Sequence, residues 1–529
     1  MTRGVGRAAD IVGRAANQFG QLPTALAFVV MVAAVAALRA ALLSYPPVLY
    51  GDSQGYLDLA GQLRTLRFAA YNGARTPVYP LFLLLSGFSS KSGFDANSIR
   101  VIQNLTGIGV AAMLFLMVYW RTKSTSLAFI SGLACGLDLS QLGFEQLILT
   151  EALCTFLLTL SVLLFQWALS EEQFGWRKHA LLGIATALTI LTRPLYVYLV
   201  PLYLAFVALT RRRGSCERSE LGWRLGAFAA PAGALLLGWC LFNWSTVGYF
   251  GITTQLGIGL TNHSGAFIEL APARYAGIRD PYLKARSKQI AETGSYVFAI
   301  FRAMAEIEAA TGYDYVRLSQ ALTRMSLELF VEHPILYGRG VARGWLRFWD
   351  PPMWWRPVKV RLEVHGALNH AQLTWFQQHA PTAIQMVIPL FARNGWAREM
   401  KFEVRDIGPA AFIVTPAPWY ESLWGIEIWT LRAANLIFLL LVGCATLRFL
   451  LRRSSEQFDL CVIAIVLSAS VVQAMLDYGE NDRYGAPTSP LVFYTVLVAM
   501  WQCMRFVQSY YPRSPLALPQ ELEGSSDGI

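Results

Sequence analysis

The stretch TALAFVVMVAAVAALRAALLS, Thr24–Ser44, carries a single charge in 21 residues and decides how the rest of the chain is read. About 20 apolar residues suffice for a helix to cross the hydrocarbon core of a bilayer. Arg3, Arg7 and Arg14 precede it. A secretory signal would have a shorter apolar core and a small-residue cleavage site, so the stretch reads as a retained first span. Nine more apolar segments follow, at about 99–120, 127–142, 147–169, 176–192, 194–209, 225–244, 428–447, 460–475 and 490–507. An eleventh, Val78–Phe88, is too short to cross and reads as a re-entrant or interfacial helix.

Composition agrees. Of the 529 residues, 55% are hydrophobic and 15% charged, against about 25% charged in soluble domains. Mean hydropathy is +0.40. The net charge of +10 could suggest a nucleic-acid binder, but the basic residues gather in short clusters between apolar segments. Of the seven cysteines, six fall in apolar segments and Cys216 in a basic loop, so a disulfide scaffold in the polar region is excluded. No GxxxxGK[ST], strand-flanked GxGxxG or HExxH is present, which removes support for nucleotide-driven transport and soluble-type nucleotide-sugar chemistry.

Basic residues flanking spans mark the cytoplasmic side. Counting ten crossings puts Arg121 and Lys123, Arg177 and Lys178, Arg211–Arg213 with Arg218, and Arg452–Arg453 on the side of the N-terminal arginines. The expected organisation is an N-terminal transmembrane catalytic module, residues 1–245, with its first outer loop at 45–77. An extracytoplasmic region follows at 246–427, then C-terminal transmembrane helices at 428–511 and a disordered tail at 512–529. The outer region shows helical patterns at Leu283–Ala310 and Tyr315–Glu332. It also carries a tryptophan strip, Trp345, Trp349, Trp354 and Trp355, which suits either an interfacial belt or a packed aromatic core. The glycines between Gly251 and Gly259 read as turns.

In this topology ionisable residues collect at the outer ends of helices: Asp52, Arg75, Glu151, Arg193, and Glu480–Asp482–Arg483 with Tyr484. Charges at that depth are functional candidates by default. Each also has a plainer reading. Asp52 could cap an amphipathic helix from Ser53 to Arg67, Glu151 could answer a helix dipole, the arginines could snorkel, and Glu480–Arg483 could be a surface pair. His365 and His370, five apart, do not share a helical face, so a metal site there has little support. Asp138 and Gln141 lie near the outer end of their span. A transporter would concentrate such groups and broken helices at the midplane.

The run Gly51-Asp52-Ser53-Gln54-Gly55-Tyr56-Leu57, with Arg75-Thr76-Pro77-Val78-Tyr79-Pro80, resembles the first outer loop of GT-C glycosyltransferases. Thr150-Glu151, Leu191-Thr192-Arg193-Pro194, and Arg483-Tyr484 followed by Pro487 and Pro490 keep the same order. The resemblance is to protein O-mannosyltransferases and lipid A aminoarabinose transferases. It implies an all-α polytopic membrane protein, a GT-C-like bundle of about ten or eleven transmembrane helices with extracytoplasmic amphipathic helices and one large, mostly helical outer region. It implies an inverting hexosyl- or pentosyltransferase that moves a sugar from a polyprenyl-phosphate carrier to an envelope glycan, lipid or protein. It also implies a bacterial inner membrane, with the site on the periplasmic or extracytoplasmic face. Asp52 holds the position of the catalytic base. Where many relatives have Asp-Glu this chain has Asp-Ser, so the second carboxylate is assigned to Glu151. Where aminoarabinose transferases carry a lysine before two prolines, Arg75-Thr76-Pro77 keeps the charge. Tyr56, Arg75, Tyr79, Arg193, Arg483 and Tyr484 are the expected substrate-binding residues. The sequence names no cofactor, a divalent cation is compatible with this chemistry, and nucleic acid is not a partner. The competing readings are an O-antigen polymerase or ligase-type enzyme and, less favoured, a transporter.

The chemistry fits the assignment. An acceptor hydroxyl is a poor nucleophile until a carboxylate takes its proton, and arginine stabilises a departing phosphate with paired donors. Tyr56, four residues after Asp52, shares its helical face.

Overall fold

A computed structural model describes residues 23–43, 52–89, 93–94, 96–169, 175–209, 218–351, 360–363, 397–403, 411–416, 418–452 and 457–510. Helices occupy all ten predicted spans. Six are long and apolar enough to cross a membrane: Ser98–Thr122, Glu151–Leu169, Ser219–Val247, Gly425–Gly443, Gln457–Leu476 and Asn481–Val507. A seventh crossing is the pair Thr125–Gly136 and Leu139–Gln146, taken together. Thr24–Leu42, Trp176–Thr192, and Pro194–Tyr198 continued by Leu199–Leu209 are shorter. The chain is an integral multi-pass membrane protein of helical class. Val78–Gly87 has 10 residues; at about 1.5 Å per residue it reaches half-way through a hydrocarbon core of about 30 Å, as expected of a non-crossing helix.

The first helix shows how local pattern becomes packing. Ala27, Met31, Val35 and Arg39 recur every four residues, and all are buried. The three apolar members face the helices Ala96–Thr122 and Thr125–Gly136. A Cβ on Gly136 would lie 2.3 Å from Val35 Cγ2, so glycine is what permits that approach. Arg39 ends the stripe in a bidentate pair with Glu145, Nη2 to Oε1 at 2.7 Å and Nε to Oε2 at 2.8 Å. Its Nη1 donates to the Gly136 carbonyl at 2.8 Å. Breaking one side of such a buried pair typically costs about 3–5 kcal/mol. The pair therefore clamps the first helix to the break in the third span.

That break corrects the expectation of a continuous helix over 127–142. The chain bends by 47° between Gly136 and Leu139. Asp138 caps the second segment, accepting from Ser140 N at 2.8 Å and Gln141 N at 3.3 Å. Residues 147–150 are not helical, which also shortens the predicted 147–169 span to Glu151–Leu169. Irregular backbone at this depth needs internal partners. Gln103 Nε2 donates to the Glu145 and Leu147 carbonyls at 2.9 and 2.8 Å, and Ser53 Oγ to Ile148 O at 2.8 Å. Near Asp138, Ser489 Oγ donates to Oδ2 and Gln141 Nε2 to Ala486 O. These bonds tie the N-terminal module to the last span.

In the polar region, Leu256–Ser264, Ala276–Thr293, Ala299–Thr311, Tyr315–Glu332 and Pro334–Phe348 are helices around a separate apolar core that includes Ile258, Tyr282, Ile300, Leu322 and Met325. The predicted helix over 283–310 is two helices, divided where Gly294 and Phe298 take left-handed backbone. Gly257 and Gly259 are helical rather than turn residues, and a Cβ on Gly257 would sit 2.0 Å from Ser319 O. A small antiparallel sheet adds to the helical expectation. Ala411–Pro416 lies at its centre between Val360–Glu363 and Ala397–Glu403, with Val360 opposite Val414. Of the tryptophan strip, Trp345 donates to Ser470 Oγ and Trp349 stacks on Phe438, so both belong to a packed core. Trp354, Trp355, His365, His370 and the tail from Pro512 lie outside the described residues.

Candidate active site

Four elements carry the charged residues to one end of the bundle. Asp52 stands at the start of the helix Ser53–Thr65. Its backbone is already helical and its side chain makes no capping bond, so the plainer reading as a helix cap does not hold. Arg75 lies in a loop pinned by Thr254 N to Gly73 O, Thr253 Oγ1 to Ala74 O and Thr254 Oγ1 to Asn72 O, at 3.0, 2.9 and 3.0 Å. Gly73 takes φ +78° there, a conformation natural to glycine. Arg193 is the extended residue between Trp176–Thr192 and Pro194; a residue before proline is pushed out of the helical region. Arg483 belongs to the short helix Asn481–Gly485.

These residues form one chain of ion pairs. Asp52 Oδ1 accepts from Arg75 Nη2 at 2.8 Å, and its Oδ2 from Arg483 Nη1 at 3.1 Å. Arg483 Nε and Nη1 also reach Glu151 and Glu480. Glu151 Oε1 accepts from Arg193 Nη2 at 2.9 Å, and Arg193 Nε donates to Thr150 Oγ1 at 3.1 Å. Arg75 lies 4.6 Å over the Tyr56 ring and Arg193 4.6 Å over the Tyr484 ring. The snorkelling reading fails for Arg193 and the surface-pair reading for Arg483, because Arg193, Arg483 and Glu151 are buried.

Asp52, Tyr56, Arg75, Arg193, Arg483 and Tyr484 line a cavity of about 370 Å³. Its remaining wall is largely apolar, including Leu195, Val197, Ile252, Leu256 and Leu476. A neighbouring cavity of about 670 Å³ shares Asp52, Arg75 and Tyr484, and extends to Glu480, Phe298 and Phe301. Asp52 therefore stands on a wall common to both. Tyr79 borders neither. It is fully buried, edge-on to Tyr56 at 5.1 Å, and donates to Gln103 Oε1 at 2.8 Å. It links the Tyr56 ring to the amide that holds the helix break. Glu151 likewise stands behind the cavity wall, where it fixes two arginines.

Burial by itself would raise the Asp52 carboxyl, but the Arg75 and Arg483 charges and hydrogen bonds outweigh it and hold the pKa below the usual value. Asp52 is thus ionised at neutral pH, and its pairs lose their contribution to stability as pH falls through that lowered pKa. Among the cavity residues that sequence reasoning missed are Gln473 and Asp477. Burial raises the Asp477 carboxyl, which accepts from Asn262 Nδ2 at 2.7 Å. Gln473 carried one available signal: it is a polar residue inside the apolar span Gln457–Leu476. Among the described residues no three His, Cys, Asp or Glu side chains gather to hold a metal ion.

A charged pocket with an apolar wall, at one end of a polytopic helical bundle, defines the class of site. Residues 48–245 match the family model for dolichyl-phosphate-mannose-protein mannosyltransferase. That match covers under half of the 529 residues. The matched segment contains Asp52, Arg75, Glu151 and Arg193, while Arg483 lies beyond it. Among solved structures, the chain is similar to the archaeal oligosaccharyltransferase AglB from Archaeoglobus fulgidus in complex with an inhibitory peptide and a dolichol-phosphate. The identity is 12% and the TM-score 0.44, over 92% of this chain and 51% of that one. It is also similar to ArnT from Cupriavidus metallidurans bound to undecaprenyl phosphate, at 14% identity and TM-score 0.34, over 92% of this chain and 81% of that one. The chain spans about half the length of the Archaeoglobus fulgidus oligosaccharyltransferase structures it matches. A sequence comparison with curated proteins finds no match.

The paired arginines generate a pH prediction. Arg75→Gln removes one of the two cations that offset burial at Asp52. The acid limb of the pH dependence of kcat/KM should then move to higher pH, and Arg75→Lys should move it less. An acid limb unchanged in Arg75→Gln would show that Asp52 does not govern it.

Proposed function

We propose that this protein is a membrane glycosyltransferase that takes a sugar from a polyprenyl-phosphate carrier and passes it to an acceptor hydroxyl on the outer face of the membrane. The observation that carries this reading is the position of Asp52, an ionised carboxylate between two guanidiniums, on the wall common to two cavities. The smaller cavity, with its apolar wall, suits a lipid-borne donor. The larger one suits the acceptor. The name of the matched family, with its dolichyl-phosphate-mannose, supports a lipid-phosphate donor. The sugar is a hexose or pentose, and the acceptor an envelope glycan, lipid or protein.

In this reaction the acceptor oxygen attacks the anomeric carbon while Asp52 takes its proton. The bond from that carbon to the phosphate oxygen breaks, the lipid phosphate departs with the electron pair, and the configuration inverts. Arg75 and Arg193 receive the charge that develops on the phosphate. Arg483, surrounded by Asp52, Glu151 and Glu480, holds Asp52 in place against the buried Glu151. A transporter would put unpaired groups and broken helices at the translocation path. Here the charges at the broken helix, Arg39 and Glu145, are spent on each other.

Asparagine keeps the size and hydrogen bonding of Asp52 but takes no proton at neutral pH. Asp52→Asn should lower single-turnover transfer from a synthetic lipid-phosphate sugar by about 10²–10⁴, with donor affinity and thermal stability largely kept. Near-normal turnover would move the base to Glu151. Active Glu151→Gln as well would end the transferase reading.

The outer-face orientation rests on the basic clusters. In a background without native cysteines, Gln54→Cys and Ser295→Cys, both at exposed positions, should react with an impermeant thiol reagent in intact cells. Labelling only after lysis would invert the topology.

A further inference from the structure

Two residues that line the 370 Å³ cavity each carry a buried donor without a protein partner. One is Arg193 Nη1, whose Nη2 and Nε are taken by Glu151 and Thr150. The other is Gln473 Nε2, on a side chain only 2% exposed. Gln473 and Leu476, three apart in the last turn of the helix Gln457–Leu476, line the cavity from one helical face, and Asp477 lines it just past the helix end. A buried donor without a partner costs about 1–3 kcal/mol, a penalty that a ligand accepting from it removes. The carboxylates of the cavity do not take up these donors. Asp52 is occupied by Arg75 and Arg483, and Asp477 by Asn262 and the Gly479 N–H.

Two residues with unpartnered donors, one of them cationic, line a cavity whose other wall is largely apolar. The complementary ligand has anionic oxygens joined to a hydrocarbon chain. We infer that Gln473 is a binding residue for the phosphate of the lipid carrier, donating from Nε2 together with the unpartnered Nη1 of Arg193. The inference rests on the donor reading above and adds a residue of the C-terminal spans to it. Gln473 is neutral, so it contributes hydrogen-bond geometry where the arginines contribute charge. It lets the site tell a phosphate from an uncharged lipid alcohol without adding a further buried cation.

The test uses the purified full chain in detergent and three probes: a synthetic polyprenyl phosphate, the matching polyprenol, and inorganic phosphate. Affinity is read by calorimetry and stability by thermal unfolding without ligand. Gln473→Leu should weaken polyprenyl phosphate on the order of tenfold or more and leave polyprenol unchanged. Its melting temperature should stay the same or rise, because an unpaired amide has been replaced by an apolar group. Gln473→Glu, which sets a carboxylate against the phosphate, should weaken binding further. Inorganic phosphate binding as tightly as polyprenyl phosphate would make the site one for free phosphate and overturn the lipid assignment. Wild-type affinity in both variants would overturn the role of Gln473 while leaving the donor reading intact. A lower melting temperature in Gln473→Leu, with unchanged affinity, would make the residue structural. No binding of polyprenyl phosphate by the wild type would overturn the donor reading and the inference with it.

Discussion

Arg75, Asp52, Arg483, Glu151 and Arg193 alternate in charge along one line of ion pairs, and the rest of the architecture serves to bring them together. They are drawn from positions 52 to 483 of the chain. Most of the line is shielded from water, with Glu151 and Arg483 no more than 1% exposed. A buried charge is tolerated only when paired and hydrogen-bonded, so each member requires the elements that carry its neighbours. The line therefore fixes the first loop, the irregular segment before Glu151, the proline turn at Arg193 and the start of the last span relative to one another. Arg483, which contacts three carboxylates, is the point where the N-terminal module and the C-terminal helices meet.

The line is also incomplete in a way that bears on chemistry. Its Asp52 end opens on two cavities, and its Arg193 end leaves one donor unused. A purely structural network would satisfy its buried polar atoms. A binding site keeps some of them for its ligand. The lowered pKa of Asp52 has a matching consequence: because both of its oxygens face guanidiniums, the proposed base is a weak one in this arrangement. A phosphate that draws those guanidiniums towards itself would leave Asp52 more basic, so donor binding would ready the base for the acceptor.

Much of this was legible in the sequence because hydropathy and local motifs report local events. The apolar segments became helices, Val78–Gly87 stayed too short to cross, and Tyr315–Glu332 formed where its pattern placed it. Asp52, Glu151, Arg75, Arg193 and Arg483 met because each sits at the same end of its span. What escaped depends on distant partners. The bend at Asp138 lies in a segment that reads as one span because its apolar residues outweigh Asp138 and Gln141, and the bonds from Gln103 and the Arg39–Glu145 pair make its open backbone tolerable. Gly257 looked like a turn residue, but it is small because Tyr315–Glu332 passes against it. Tyr79 was expected in the pocket, yet its hydroxyl is drawn to Gln103 behind it. Gln473 gave no motif; its importance appears only once the cavity is seen.

The central claim is that the charged cavity holds a lipid-linked phosphate sugar. The most direct measurement is mass spectrometry of the lipid that accompanies the purified protein out of its native membrane. The account predicts a polyprenyl phosphate bearing one hexose or pentose, present in the wild type and depleted in Arg193→Ala. A protein that carries only ordinary phospholipid, or retains the same lipid equally well without Arg193, would contradict it.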